Sequence, residues 1–373
     1  MSESIRVSTP SRLCLFGEHQ DFLGLSVIAV AINLRFSAQV TPRNDSLIRI
    51  IIRDESLNFL NVKNDKSLYQ EYSVDFSKPI VYRHDEDFYP STVNTLLKHG
   101  YQLRGFDIKM DSEIPIGKGM CSSSTMIIAL MKAILEGIGH PDANDPMKIA
   151  ELAFQAEVSE FGNPGGKMDH LSSALGDLVH MDFSNGETKA HRLNHTFEGR
   201  FILFDSMERK DTLRVLASSK EPTLKGLELL KAHGVNSIAD FVDGDKDPAL
   251  ADALPEDCRA AVKANIENYR LFKQGLELIE SNQVDDVKFG ELISAHHAQL
   301  RDGLGISTDA IEWILETAKA NGALGGKLNG SGGGGCCYVY AKAEDCDRIL
   351  EAVGKRGYPG KVMKQDTGVR RDA

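Results

Sequence analysis

Three glycine-marked blocks, met in a fixed order, constrain this chain more than anything else in it: PSRLCLFGEHQDFLG from Pro10, PIGKGMCSSSTM from Pro115 and LNGSGGGGCC from Leu328. In the middle block, Gly117 and Gly119 remove Cβ atoms where backbone N–H groups would have to close on a phosphate, and Ser122, Ser123 and Ser124 add hydroxyls beside them. Ile127, Leu130, Met131, Ile134 and Ile138 then recur at three- and four-residue spacing. The loop therefore opens into an amphipathic helix whose N-terminus can hold an anion. This construction predicts a phosphate site.

The site is not a P-loop of the Walker type, because no window supplies Gly-x-x-x-x-Gly-Lys followed by Ser or Thr; the run from Gly322 to Lys327 is followed by Leu328. The last block contains Gly330, Gly332 and Gly335 at dinucleotide-fold spacing. That fingerprint follows a strand and opens a helix, whereas Cys336–Tyr340 reads as a strand that follows the glycines. These glycines are expected to form a tight loop that packs its backbone against another part of the chain.

A net charge of −11, from 43 Lys and Arg against 54 Asp and Glu, argues against a nucleic-acid surface or an anionic membrane, and favours a small polar substrate. The N-terminus has no apolar signal core, and the longest apolar runs, around Ser26–Leu34 and Met126–Leu135, are too short for a bilayer. A cytoplasmic protein is expected. The six cysteines show no metal-ligand spacing and read as small buried hydrophobes in a reducing compartment.

The periodicities predict strands over 5–8, 12–16, 26–32, 35–42, 46–52, 106–111 and 178–182, and helices over 90–99, 123–138 and 146–160. After Asn194 a strand over 201–205 leads into helices over 224–233, 256–280, 288–303 and 308–321, then a strand over 336–341 and a helix over 343–354. Strands first, with helices mixed among them, indicate an α+β fold. The expected domains are 1–195 and 196–373, with a ligand cleft between them.

Four acidic residues and their neighbours stand out. Glu157 shares a helix face with Ala150 and Ala153, so it is either a solvated carboxylate near a helix end or a partner for a metal–nucleotide. Asp169 follows Gly165 and Gly166 in GNPGGKMDHLSSALGD and reads as a helix N-cap or a functional acid. In the first block, Gly17 opens a turn bearing Glu18, His19 and Asp21 between Leu15, Phe16 and Phe22. Apolar flanks imply a partly buried turn whose polar groups need partners, either their own backbone or a polyhydroxylated ligand.

The three blocks, together with AEVSEFGNPGGKMD from Ala156 and FGELISAHHAQLRDGLGIS from Phe289, resemble the GHMP small-molecule kinases, and within them the galactokinase branch. The resemblance implies a two-domain α+β GHMP-kinase fold with the active site in the interdomain cleft. It also implies direct phosphoryl transfer from ATP to the anomeric hydroxyl of a free monosaccharide. By similarity, the loop of Gly117, Lys118, Gly119, Met120, Cys121, Ser122 and Ser123 would wrap the nucleotide phosphates, Ser123 and Glu157 would hold Mg²⁺, Asp169 would take the proton, and Arg12 would stabilise the charged transition state. Glu18, His19 and Asp21 would bind sugar hydroxyls. A monomer or weak homodimer is expected.

Three features depart from the branch. Met120 and Cys121 replace residues of its phosphate loop, Leu23 and Leu25 stand where Asn and Gly are usual, and LASSKEPTLKG from Leu216 lacks the Tyr that packs on the sugar. The sugar is therefore open among galactose, an arabinose, a uronic acid and a modified hexose. Two other readings stand beside it: a kinase for another small alcohol such as mevalonate, and a sugar sensor that regulates transcription.

Overall fold

The computed structural model describes residues 4–53, 69–115, 117–163, 165–210, 215–281 and 283–372. Strands β1 (Ile5–Phe16) and β2 (Val27–Pro42) pair antiparallel along most of their length. Four strands were expected here, with breaks around Pro10 and at Asn33–Leu34. The two breaks face each other: the register steps from Pro10↔Arg35 to Ser11↔Ile32, so β2 carries two extra residues opposite a proline and both strands run on. A proline lacks the N–H that a ladder needs, and a bulge is where a sheet tolerates it.

The length of β2 lets it serve two neighbours on one edge. Val27–Val30 pair with β6 (Leu178–Asp182), and Phe36–Pro42 pair with β5 (Phe106–Ser112). Beyond β5 come β3 (Leu47–Arg53), parallel to it, and β4 (Tyr69–Asp75); β7 (Lys189–Arg192) extends β6. Against this sheet lie α1 (Phe88–Lys98), α2 (Ser122–Gly137) and α4 (Met168–Leu175), and α3 (Pro146–Phe154) packs on α2 and α4. Helix α2 packs on β1 and β2, with Ile127, Leu130, Met131 and Ile134 fully buried, as their spacing predicts. Each such side chain contributes about 1.5–3 kcal/mol of burial. Helix α3 was expected to run to Glu160. It stops at Phe154 and passes into a single π-helical turn, Gln155–Ser159, whose wider winding resets the direction of Glu157.

The second sheet runs β11 (Gly360–Met363), β8 (Arg200–Asp205), β10 (Cys336–Ala341), β9 (Ala323–Leu328), all antiparallel. Between β8 and β9 the chain forms α5 (Glu221–Leu230), α6 (Glu256–Glu280), α7 (Asp286–Ala298) and α8 (Asp309–Ala320); α9 (Cys346–Gly354) follows β10. Strand β9 was not expected, because ALGGKL reads as a turn. Its glycines are there for packing: a Cβ on Gly325 would lie 1.9 Å from the carbonyl oxygen of Gly290, so α7 sits directly on the strand backbone.

The end of β1 reaches the second half of the molecule, where the Phe16 ring meets Phe289 edge-on at 6.0 Å and Tyr338 donates to the Cys14 carbonyl at 2.9 Å. The chain's last described residues cross back the other way. Asn33 N–H donates to the Lys364 carbonyl, Arg35 pairs with Asp366 at 2.8 Å, and β12 (Arg370–Arg371) joins the outer edge of β1. The first and third blocks therefore meet at the junction of the two sheets.

Candidate active site

The candidate phosphate loop has the backbone that its sequence requires. Gly117, Gly119 and Cys121 have φ of 65°, 77° and 49°. Left-handed residues alternating with ordinary ones turn successive N–H groups into one concavity, an anion nest. The loop then enters α2 at Ser122, so Ser122, Ser123 and Ser124 occupy the first helical turn, with Ser123 half-buried and Ser124 buried. Met120 and Cys121 turn their side chains inward, leaving only backbone to face a ligand. Lys118 is committed to the protein: its ammonium meets Asp205 at 3.1 Å and the Glu208 carbonyl at 2.8 Å, tying the loop to the end of β8.

The third block closes on this loop, as its glycines predict. A Cβ on Gly119 would lie 2.5 Å from the Asn329 carbonyl oxygen, one on Gly330 2.4 Å from that of Gly119, and one on Gly335 2.6 Å from that of Lys118. Asn329 joins all three blocks. Its amide nitrogen donates to the Gly119 carbonyl at 3.1 Å and to the Arg12 carbonyl at 3.4 Å, and its oxygen accepts from Cys14 N–H at 3.0 Å.

Arg12, on β1, is buried and carries the shortest contacts of the site. Its Nε and Nη2 both donate to Asp169 Oδ1, at 2.8 and 2.6 Å, and its Nη1 donates to the Gly119 carbonyl at 3.0 Å. Asp169 is not the N-cap of α4; that position is Lys167, and Asp169 lies in the first turn, 30% exposed, with no side-chain partner on its second oxygen among the described residues. Asp21 approaches from the turn that Gly17 opens and packs on bare backbone, since a Cβ on Gly166 would fall 1.7 Å from its Oδ2. Burial, with the Asp169 charge second, pushes the Asp21 carboxyl up to about 6, against the N–H groups of Phe22 and Met168.

The other two members of that turn are held by protein. Glu18 is buried against Lys327 at 2.7 Å, and Lys327 is itself fully buried and also donates to the Cys14 carbonyl. His19 stands at φ 64°, and burial lowers its imidazole below the usual value. Its Nε2 donates to the Ser331 carbonyl at 3.0 Å, while Nδ1 faces Ser219 Oγ at 3.5 Å.

Glu157, on the π turn, points toward the start of α2. Burial raises its carboxyl, but His170, then the Ser123 and Ser124 hydroxyls, bring it below the ordinary value. Its Oε2 is buried without a hydrogen-bond partner among the described residues.

Sequence reasoning missed Lys327, Asn329 and His170. Lys327 lay in the unrecognised strand β9, and Asn329 acts only through contacts 209 to 317 positions away. His170 adjoins Asp169, which was a signal. Arg209 is an exposed charge, whereas Lys210 is half-buried; burial lowers its ammonium, and Asp169 pulls it back. Within LASSKEPTLKG, Lys220 lies 4.8 Å over the Phe22 ring.

The N-terminal domain of GHMP kinases matches residues 88–177, the C-terminal domain 277–359, and the galactokinase galactose-binding signature 2–42. The galactokinase of Bacillus subtilis (strain 168) is 28% identical over 376 residues, covering 97% of this chain and 90% of its own. The mevalonate kinase of Thermococcus onnurineus (strain NA1) is 24% identical, covering 98% of each. The crystal structure of Lactococcus lactis galactokinase complexed with galactose superposes with a TM-score of 0.80 at 19% identity, over 100% of this chain and 96% of that one.

Proposed function

Since the chain belongs to the GHMP kinase family, we propose that it transfers the γ-phosphoryl group of ATP to the anomeric hydroxyl of a free monosaccharide. One observation carries this reading: a partly exposed carboxylate, Asp169, is held by a buried arginine that also grips the phosphate loop, so proton acceptor and nucleotide site are positioned by one side chain. Phosphoryl transfer asks a protein for placement and positive charge rather than covalent chemistry, and this arrangement supplies both.

Asp169 takes the hydroxyl proton on its free oxygen, and Arg12 keeps that carboxylate oriented. The backbone of Gly117–Ser123 binds the phosphates. Asp21 receives sugar hydroxyls directly, while Glu18 and His19, fastened to Lys327 and Ser331, hold the shape of the sugar-binding turn. Ser123 and the orphaned Oε2 of Glu157 fit Mg²⁺, which when bound neutralises phosphate charge. The domain division falls near Asn194, with 364–372 lying against the first unit and the ligand cleft between the sheets.

The galactose-binding signature over 2–42 and the galactokinase relatives favour a galactose-like sugar. Lys220 over Phe22, in a stretch without a tyrosine, favours a sugar other than unmodified galactose. The test is ADP release from ATP and Mg²⁺ over a panel of hexoses, pentoses, uronic acids and mevalonate. The expected result is turnover with at least one aldose; turnover with mevalonate alone overturns the reading, and sugar and ATP binding without turnover supports the sensor.

A further inference from the structure

We infer that His170 is itself a ligand of the metal site at Glu157, which gives that site an imidazole nitrogen and a preference for first-row transition ions over Mg²⁺. The inference rests on the kinase reading only for the source of the phosphates that complete the ion's shell.

His170 follows Asp169 on α4 and is 2% exposed, yet neither ring nitrogen has a hydrogen-bond partner among the described residues. A buried imidazole in that state is costly unless something else binds it. Its Nε2 lies 2.7 Å from Glu157 Oε2, the carboxylate oxygen that is likewise buried and unpartnered. An ordinary ion pair would aim the ring N–H along that line; here the two atoms are close but not aligned for a hydrogen bond. Two unpartnered donors side by side is the arrangement of ligands on a shared cation, where bonds of ~2.1 Å place neighbouring donors ~3 Å apart.

Local structure holds the pair in place. The π turn sets the direction of Glu157, and the Phe154 ring meets the imidazole edge-on at 5.5 Å and 88°, which backs it from one side. Ser123 adds a hydroxyl from the first turn of α2. Among the described residues no group of three or more His, Cys, Asp or Glu side chains converges on a metal position. Two such side chains and a hydroxyl leave most of the shell to phosphate and water, as for a nucleotide-borne ion. An oxygen-only set suits Mg²⁺, whereas an imidazole raises affinity along the first-row series and contributes little to Mg²⁺.

The experiment is pulsed EPR of Mn²⁺ bound to the full-length protein with tripolyphosphate, which carries no nitrogen of its own. The expected result is a directly bonded ¹⁴N modulation that changes to the ¹⁵N pattern when the protein is made with ¹⁵N-histidine, a readout needing no variant. His170→Gln should lose the modulation and narrow the preference for Mn²⁺ over Mg²⁺ in competition titrations. Mn²⁺ that binds and is lost in Glu157→Gln, but shows no histidine coupling, overturns the proposal while leaving the kinase reading intact. Absence of phosphoryl transfer with any acceptor would count against the kinase reading and not against the histidine coupling.

Discussion

Arg12 spends three nitrogens on two partners, and the chemistry of the site depends on that division. Two of them hold one oxygen of Asp169, which leaves the other to accept a proton. Asp169→Asn keeps the shape but cannot act as a base, so turnover should fall ~10²–10⁴-fold while ATP and sugar still bind; steady-state rates with calorimetric binding check this. Asp21 makes a second prediction, because its folded value of about 6 lies above its ordinary 3.8. The folded protein therefore binds this proton more tightly than the unfolded chain, and stability is lost as pH rises from 4 to 6. In Asp21→Asn that loss disappears, so the melting temperature of the variant should gain on wild type across this window. The sugar kcat/KM of the wild type should show an acidic limb near pH 6 that the variant lacks. The residues that could be named from sequence alone, Arg12, Asp21, Glu157 and Asp169, lie in blocks with local signals. Lys327 and Asn329 could not be, because their value comes from Glu18 and Cys14, more than 300 positions away.

At the scale of elements, the phosphate loop and the third block form one backbone-to-backbone contact, and their glycines are needed for different reasons. Gly117 has open space around a would-be Cβ and needs only its left-handed conformation, whereas Gly119 has both that conformation and the Asn329 carbonyl at 2.5 Å. Gly117→Ala should therefore cost ~1–2 kcal/mol, the price of an alanine at positive φ. Gly119→Ala should cost a further ~1–3 kcal/mol for overpacking and raise the KM for ATP as the blocks separate. Urea denaturation and ATP titration of the two variants check the ranking. The helices were legible because their apolar residues repeat every three or four positions over long stretches. The misses have physical causes: Pro10 and Asn33–Leu34 read as ends where they form one bulge, β9 hides behind glycines that admit α7, and the π turn at Gln155–Ser159 leaves no mark on hydrophobic periodicity.

Across the whole molecule, the three sequence blocks become a single site because β1 spans the junction of the two sheets, with Arg12 on the phosphate-loop side and Cys14 and Phe16 reaching Lys327, Tyr338 and Phe289. The order of the blocks showed which pieces belong together, and the sequence resemblance implied the cleft. It did not show that the chain's end crosses back to pair Asp366 with Arg35 and Arg370–Arg371 with β1, because such short segments carry no pattern. The central claim is that Asp169 and the phosphate loop meet at an anomeric hydroxyl. The most direct measurement is phosphorus–proton correlation NMR of the product formed from ATP and the best aldose. The expected result is a phosphorus coupled to the anomeric proton of a sugar that has lost its reducing end, formed ~10²–10⁴-fold more slowly by Asp169→Asn. A phosphorus coupled to any other sugar position would contradict it.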